Sequence, residues 1–342
     1  MTLHILIFDK FTEPLYHYLT TVLGLQQQQF LFVSAEPLNL TPSENLFLFK
    51  SPLSKNLNSN IKTFYKLCSN ADRIILHGDP LLHFFALFPS FLKKTSWVIY
   101  GQELYSLNKD HGLQNEVKKF VLRKVKNHIT HIEGDSLLAN QMLHSNASFI
   151  KSPMYLSNVA ETSDFAPEII SQKKLLKVLV GNSTDPTNNH EAIFHKLLKH
   201  VDDIECIYCP LSYGMYDEYK AKVIAIGKKM FGDKFIVLEK FMPFEEYKKF
   251  LAGIDVIIFD HNRQEAMGVT ITLMSLGKIV YVNPHTTSYE SLIRRGFKLF
   301  DNNLIATDGL KIDRDVSANV LRLKQYYSKK VFDDSWIKIS QL

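Results

Sequence analysis

Short apolar runs alternate with helix-length amphipathic stretches along nearly the whole chain, lapse once, and then alternate again; no other feature constrains the fold as much. A strand buried on both faces reads as a continuous apolar run, and a helix packed on such a sheet repeats its apolar residues near every 3.6 positions. In the first half, strands are predicted at Leu3 to Phe8, Phe30 to Ser34, Arg73 to His77, Trp97 to Tyr100, near Ile129 to Ile132, and at Ser148 to Ile150. Helical patterns fall at Pro14 to Leu23, Ile61 to Cys68, Leu81 to Phe91, Glu116 to Ile129 and Ser136 to His144. In the second half, strands are predicted at Leu175 to Val180, Ile204 to Cys209, Phe235 to Leu238, Val256 to Phe259, Ile279 to Val282 and Phe297 to Phe300. Helices fall between them at Glu191 to Val201, Tyr216 to Phe231, Phe244 to Ala252, Val269 to Leu276 and Ser288 to Arg295.

This is the signature of an α/β protein built from two doubly wound, Rossmann-like units facing across a cleft. At 342 residues the chain also exceeds what one core usually serves. The expected organisation is a domain over 1–156, a polar linker over 157–174, a second domain over 175–325, and a segment over 326–342 that crosses back to the first. Right-handed crossovers bring the loops at the carboxyl ends of each sheet's strands to one edge, where ligands bind.

Bulk composition removes several function classes. No run approaches the roughly 20 apolar residues of a membrane span, and Met1 to Asp9 lacks the basic head and small-residue cleavage site of a secretory signal, so a cytoplasmic location is expected. The three cysteines suit a reducing compartment. Cys206 and Cys209 have redox or zinc spacing but lie in a predicted strand, where residues three apart point to opposite faces, so no metal is assigned. The net charge of +5 comes without a domain-wide basic stripe, which argues against nucleic acid as a partner. One local cluster stands out: Lys118, Lys119, Arg123, Lys124 and Lys126 among Val117, Phe120, Val121 and Val125. Such a helix either lies on an anionic membrane surface or turns its apolar stripe to the core.

Three loops of the second half sit at predicted strand ends. Gly181 to His190 is rich in small and amide-bearing residues and leads into a helix, so Gly181, Asn182 and Ser183 can offer amides and hydroxyls to a phosphate. An ordinary βα turn with a good N-cap is the competing reading. The loop Cys209 to Gly214 offers Ser212 and Tyr213 to a base or ribose. The third loop, Asp260 to Gly268, places six polar residues in a row after a buried strand. There Arg263, with Gln264 and Glu265 beside it, is suited to a diphosphate, and the amides of Gly268, Val269 and Thr270 can cap the same anion at a helix start.

Neither a Gly-x-Gly-x-x-Gly turn after the first strand nor a Gly-x4-Gly-Lys-Ser/Thr loop occurs, which lowers the weight of simple dehydrogenases and P-loop hydrolases. Two facing Rossmann-like domains without these fingerprints resemble the GT-B glycosyltransferases, and also some nucleotide-sugar 2-epimerases. In many GT-B enzymes a ribose-binding Glu stands about where this chain has Thr272.

Gly181-Asn182-Ser183 with Asn189-His190-Glu191, then Arg263-Gln264, Gly268, Gly277 and Asn283, resemble glycosyltransferase family 56, the 4-acetamido-4,6-dideoxygalactose (Fuc4NAc) transferases of enterobacterial common antigen synthesis. His77-Gly78 and Tyr100-Gly101-Gln102-Glu103-Leu104-Tyr105 are similar to that family's first-half motifs. Departures are Glu265-Ala266, where Gln-Gly is usual, and Asp79, where an amide is usual. The resemblance implies transfer of a deoxyamino sugar from a TDP-sugar to a polyprenyl-diphosphate-linked or lipopolysaccharide-type acceptor, by a peripheral protein on the inner face of the cytoplasmic membrane, with no cofactor.

An inverting transfer needs a carboxylate to take the acceptor's hydroxyl proton. Glu103, after a strand-Gly turn in the acceptor domain, is the first candidate, and Asp79 is the second. Asp9 is weaker, and for the acids helix N-capping is the competing role. His77 is a candidate for positioning substrate, although a histidine after a strand is more often a hydrogen-bonded core residue. A 2-epimerase and a non-catalytic binding protein of the same architecture are the rival readings.

Overall fold

The structure is a computed structural model of the chain and describes residues 1–35, 44–108, 112–160, 175–310 and 317–342. Contacts divide it into two compact units, Met1–Val159 with Lys329–Leu342, and Ala160–Ser328. Most of the stretch expected as a linker, 161–174, lies outside the described residues.

Among the described residues the first unit has a seven-stranded parallel sheet. Its strands are β1 (Thr2–Ile7), β2 (Gln28–Ser34), β3 (Leu46–Lys50), β4 (Arg73–His77), β5 (Thr95–Val98), β6 (Asn127–Thr130) and β7 (Ser148–Lys151). The helices between them are α1 (Thr12–His17), α2 (Leu57–Asn70), α3 (Leu82–Leu87), α4 (Gln102–Tyr105), α5 (Leu113–Leu122) and α6 (Glu133–Leu143). The strand order β3-β2-β1-β4-β5-β6-β7 reverses direction between β1 and β4. At such a reversal the two flanking loops leave in opposite directions and open a crevice at the carboxyl ends of the strands.

The second unit repeats the plan with β8 (Leu176–Val180), β9 (Ile204–Pro210), β10 (Phe235–Leu238), β11 (Val256–Ile258), β12 (Ile279–Val282) and β13 (Phe300–Asp301). Its helices are α7 (His190–Leu198), α8 (Asp217–Phe231), α9 (Phe244–Ala252), α10 (Met267–Ser275), α11 (Thr287–Arg294), α12 (Ile305–Asp308) and α13 (Ser317–Tyr327). The order β10-β9-β8-β11-β12-β13 reverses between β8 and β11. The last helix, α14 (Lys329–Ser340), belongs to the first unit.

Alternation along β1 shows how the first sheet is covered on both faces. Leu3 and Ile5 join Phe64, Phe84 and Trp97 in one layer, while Leu6 joins Phe30, Phe32, Ile75 and Val98 in the other. Phe332, Trp336 and Ile339 of α14 fill that second layer. In the second unit Val178, Val180, Ile207, Val256 and Ile258 form the centre of one core with Phe194 and Phe231.

The structure corrects several predicted elements. The helix expected over Glu116 to Ile129 starts earlier, at Leu113, and stops at Leu122; the next strand begins at Asn127. That strand reads as polar, yet all four of its residues are buried, because Asn127 Nδ2 donates to Ser96 Oγ at 2.9 Å and His128 Nδ1 meets Ser136 Oγ at 3.1 Å. The apolar stripe of α5 faces the core, with Val121 and Leu122 buried, while Leu113 and Phe120 are exposed. β3 was not predicted, since no helix-length pattern separates it from β2 in the sequence. α13 was not predicted either; it docks through buried Leu323 and through Asn319, whose Oδ1 accepts from Lys298 N at 2.6 Å. No described helix is long and apolar enough to cross a membrane.

Candidate active site

The three loops singled out in the second half converge at the carboxyl edge of the second sheet, around its reversal point. Buried Asn188 is the hub: its Oδ1 accepts from Asn182 N at 2.9 Å, and its Nδ2 donates to Ser183 Oγ and Asp185 O, both at 3.0 Å. From the third loop, His261 Nε2 bonds Asn182 Oδ1 at 2.9 Å and Asn188 Oδ1 at 3.1 Å. Burial, then the nearby Arg263 cation, hold this imidazole down to about 3 despite Asp185, so at neutral pH it is an uncharged donor. Asn189 Nδ2 ties the same two loops by donating to Asp260 O at 2.7 Å. The second loop docks on the first through Thr184 N, which donates to Tyr213 O at 2.7 Å, and it leaves Ser212 and Tyr213 exposed at the rim.

Arg263 does not stand open to solvent. Its Nη2 meets Asp185 Oδ2 and Glu265 Oε2, each at 3.1 Å, and its Nε donates to Glu265 Oε2 at 3.2 Å. Burial raises the Asp185 carboxyl, but the Thr187 N–H and hydroxyl and the Arg263 charge outweigh it and leave that carboxyl below its ordinary value. Arg263 and Glu265 line a small pocket with Thr270, Asn283 and Tyr289 over an apolar floor that includes Phe259 and Leu299. α10 opens beside it after Ala266 in the left-handed region, and the first-turn amides of Met267, Gly268 and Val269 have no partner within the helix. Gln264 is buried in the same loop.

Gly181 carries the tightest backbone demand in this network. Its φ is +69°, and a Cβ there would come within 2.4 Å of His190 Nε2 and 2.9 Å of Asn188 Oδ1. Tyr219 Oη accepts from His190 N at 3.2 Å and meets His190 Nδ1 at 3.1 Å, so the ring is fixed. Gly181→Ala is expected to destabilise the protein by about 2–5 kcal/mol, the sum of left-handed strain and overpacking. Gly24→Ala, at φ +58° with nothing within 4 Å, isolates the backbone part, about 1–2 kcal/mol. Equal losses for the two in urea unfolding would show that the His190 contact adds nothing.

In the first unit the acidic candidates lie at the carboxyl ends of β1, β4 and β5. Asp9 behaves as an N-cap: its Oδ1 accepts from Phe11 N and Thr12 N, both at 2.8 Å. Glu103, at the start of α4, accepts from Tyr100 N at 2.6 Å and is buried. Burial first, then the Asp79 charge, push its carboxyl up to about 7, against the Tyr100 and Glu103 N–H groups and Lys118. Asp79 Oδ2 pairs with Lys118 Nζ at 2.6 Å, and that ammonium also donates to Ser106 Oγ at 3.0 Å. Lys118 is the member of this group that sequence reasoning missed, because the helical pattern counted it among surface cations.

His77 is fully buried inside a hydrogen-bonded string. Gln28 Nε2 donates to Gln26 O at 3.0 Å, which leaves Gln28 Oε1 to accept from His4 Nε2 at 3.0 Å. His4 Nδ1 then accepts from His77 Nε2, and His77 Nδ1 meets the Tyr155 hydroxyl, each at 3.1 Å. Tyr155 is bonded in turn to the Tyr100 hydroxyl, and the Tyr100 amide holds Glu103. Burial lowers His4 to about 4 and, with His4 beside it, takes His77 well below the imidazole range, so the string is neutral near pH 7. His77 reaches no surface. Its two ring nitrogens are bonded to His4 and to the Tyr155 hydroxyl.

Asn188 and His261 also escaped assignment in the sequence, although the consecutive amides at 188–189 and a histidine within the third polar loop are the signals that mark them. Cys68, Cys206 and Cys209 are all buried and free.

This architecture is shared with solved glycosyltransferases. The chain is similar to a glycosyltransferase from Rickettsia africae ESF-5 at TM-score 0.70 and 11% identity, over 99% of this chain and 98% of that one. It is similar to sucrose-phosphate synthase from Thermosynechococcus elongatus at TM-score 0.71 and 12% identity, over 100% and 98%. It is also similar to Anabaena HepE, solved in complex with UDP and glucose, at TM-score 0.67 and 12% identity, over 100% of both chains. These likenesses establish the GT-B fold. The sequence model of the family described as 4-alpha-L-fucosyltransferase, glycosyltransferase group 56, matches residues 7–339, and the chain therefore belongs to this family of glycosyltransferases.

Proposed function

We propose that this glycosyltransferase moves a deoxyamino sugar from a TDP-linked, Fuc4NAc-like donor to a lipid-linked or surface-polysaccharide acceptor at the cytoplasmic face of the inner membrane. The second unit takes the donor and the first unit the acceptor and the base. The observation that carries the reading is that the Gly181 loop, with the Ser212 loop docked on it, is bonded to the Arg263 loop, which runs directly into the first turn of α10. Backbone amides of Gly268 and Val269 would receive the departing diphosphate, where a helix start stabilises negative charge at no reorganisation cost, whereas the Thr270 amide expected to join them already donates to Ala266 O at 2.9 Å.

Glu103 would take the acceptor hydroxyl proton as that oxygen bonds the anomeric carbon and the sugar–diphosphate bond breaks. A buried carboxylate titrating near 7 suits this role, since a base works best when its pKa lies near the operating pH. Asp79 and Lys118 tune it. His77 positions it through Tyr155 and Tyr100. Leu113 and Phe120 are the exposed apolar residues of the basic helix α5, with Lys119, Arg123 and Lys124 alongside, and they are the proposed membrane contact.

The test is a thermal-shift series with TDP-, UDP-, GDP- and CMP-sugars, followed by transfer assays with a polyprenyl-diphosphate-linked acceptor. A ligand at a hundredfold its Kd stabilises by about 2.7 kcal/mol. A TDP-sugar preference is expected. Stabilisation by UDP- or GDP-sugars alone would overturn the donor assignment, and a new nucleotide-sugar isomer formed without acceptor would favour epimerisation.

A further inference from the structure

The charge around Arg263 conflicts with a diphosphate site, and resolving the conflict assigns a role to Asp185. One guanidinium faces two carboxylates, so the cluster carries a net negative charge beside the loops expected to meet a polyanion. The guanidinium is about nine-tenths enclosed, at 12% side-chain exposure, and Asp185 and Glu265 are at 18% and 16%. The two acids hold it differently. Glu265 Oε2 takes two donors of Arg263, Nη2 at 3.1 Å and Nε at 3.2 Å, and its Oε1 accepts from Ser183 Oγ at 3.4 Å. Asp185 touches Arg263 only through Oδ2, while its Oδ1 is held by Thr187 N at 2.9 Å and Thr187 Oγ1 at 2.7 Å. Asp185 can therefore let go of the arginine without losing the turn it builds. Glu265 cannot.

We propose that the Asp185 carboxylate occupies Arg263 in place of the donor's diphosphate, so that nucleotide binding exchanges carboxylate for phosphate at the guanidinium and Asp185 sets donor affinity. This rests on the donor-site reading above. The exchange is favoured in one direction only when the incoming anion is doubly charged and can take the arginine's forked donors, whereas a neutral nucleoside gains nothing from it. Asp185 thus lowers affinity for the diphosphate while leaving that for uncharged nucleosides unchanged, and it holds Arg263 in a defined place when no diphosphate is bound.

The test is calorimetric titration of the full chain with TDP, UDP and GDP, using the three matching nucleosides as uncharged controls. Asp185→Asn keeps the oxygen that accepts from Thr187 and removes the competing charge. It is expected to bind the preferred diphosphate three- to tenfold more tightly, with nucleoside affinity unchanged, and the gain is expected to vanish in D185N/R263Q. Unchanged or weaker diphosphate binding by folded D185N overturns the proposal, as does a gain that survives R263Q. Should D185N not fold, Asp185→Ser, whose hydroxyl can still accept from Thr187 N, carries the same expectation. If the folded wild type and D185N bind none of the three diphosphates, the donor-site reading fails and this proposal falls with it; diphosphate binding without the gain sinks this proposal alone.

Discussion

Glu103→Gln is expected to lower turnover by about 10²–10⁴-fold while making the protein more stable at pH 8. The two effects share one cause. Burial and the Asp79 charge raise the Glu103 carboxyl from 4.5 to about 7 in the folded protein. A raised pKa means that folding favours the protonated form, so the associated stability is complete below pH 4.5 and is lost as pH climbs through 7. That loss is about 3 kcal/mol at 1.36 kcal/mol per pKa unit. Glutamine cannot ionise, and its amide oxygen still accepts the Tyr100 N–H, so the variant escapes most of the loss. The comparison belongs at pH 8, because buried His4 and His128, both held near 4, subtract stability from all forms as pH falls below 6.5. Wild-type activity should rise with pH around a midpoint near 7. Asp79→Asn should move the midpoint down and Lys118→Met should move it up, following the signs of their charges on Glu103. Transfer within tenfold of wild type, or a Glu103→Gln protein less stable at pH 8, would end the assignment of Glu103 as base.

Trp336→Ala is expected to destabilise the first unit by about 3–5 kcal/mol, the usual cost of removing a large buried aromatic. The side chain is 1% exposed and packs among Leu6, Phe30, Phe32 and Phe332. Its ring stacks on His77 with centroids 5.9 Å apart and planes 12° from parallel, and its Nε1 donates to Met154 O at 3.2 Å. The truncation removes apolar contact, leaves that carbonyl without its donor, and frees the histidine that orders the tyrosine string. Trp336→Phe keeps most of the apolar contact and should cost less than half as much. Urea unfolding followed by near-ultraviolet circular dichroism reads both. A loss below 1 kcal/mol for Trp336→Ala would mean that α14 contributes little to the first unit.

The sequence was most informative where burial is two-sided and local. β1, β4, β8 and β11 were legible as apolar runs, because strands covered on both faces need apolar side chains in both directions. Asn127–Thr130 was misread for the opposite reason. Its Asn127 Nδ2 and His128 Nδ1 are satisfied by Ser96 and Ser136, residues distant along the chain or on a neighbouring helix, and no local pattern reports such partners. The second-unit loops were recognisable from their polar content at predicted strand ends. Their hub, Asn188, was not, since an asparagine that bonds two backbone groups and two side chains looks in the sequence like any turn residue. Lys118 was grouped with its cationic neighbours, and only the packing of α5 beside α3 turns it toward Asp79.

By itself the sequence determined the α/β class, the two successive doubly wound units, the three loops at strand ends and the family likeness. These follow from periodicity and loop chemistry, which are properties of neighbouring residues. The tertiary structure decided which partners the candidate charged and titratable groups meet. It buries Glu103 beside Asp79, closes Asp185 and Glu265 on Arg263, encloses His77 between His4 and Tyr155, and adds α14 to the first unit's core. Those outcomes depend on desolvation and on partners brought together from remote positions, and neither is a local property of the chain.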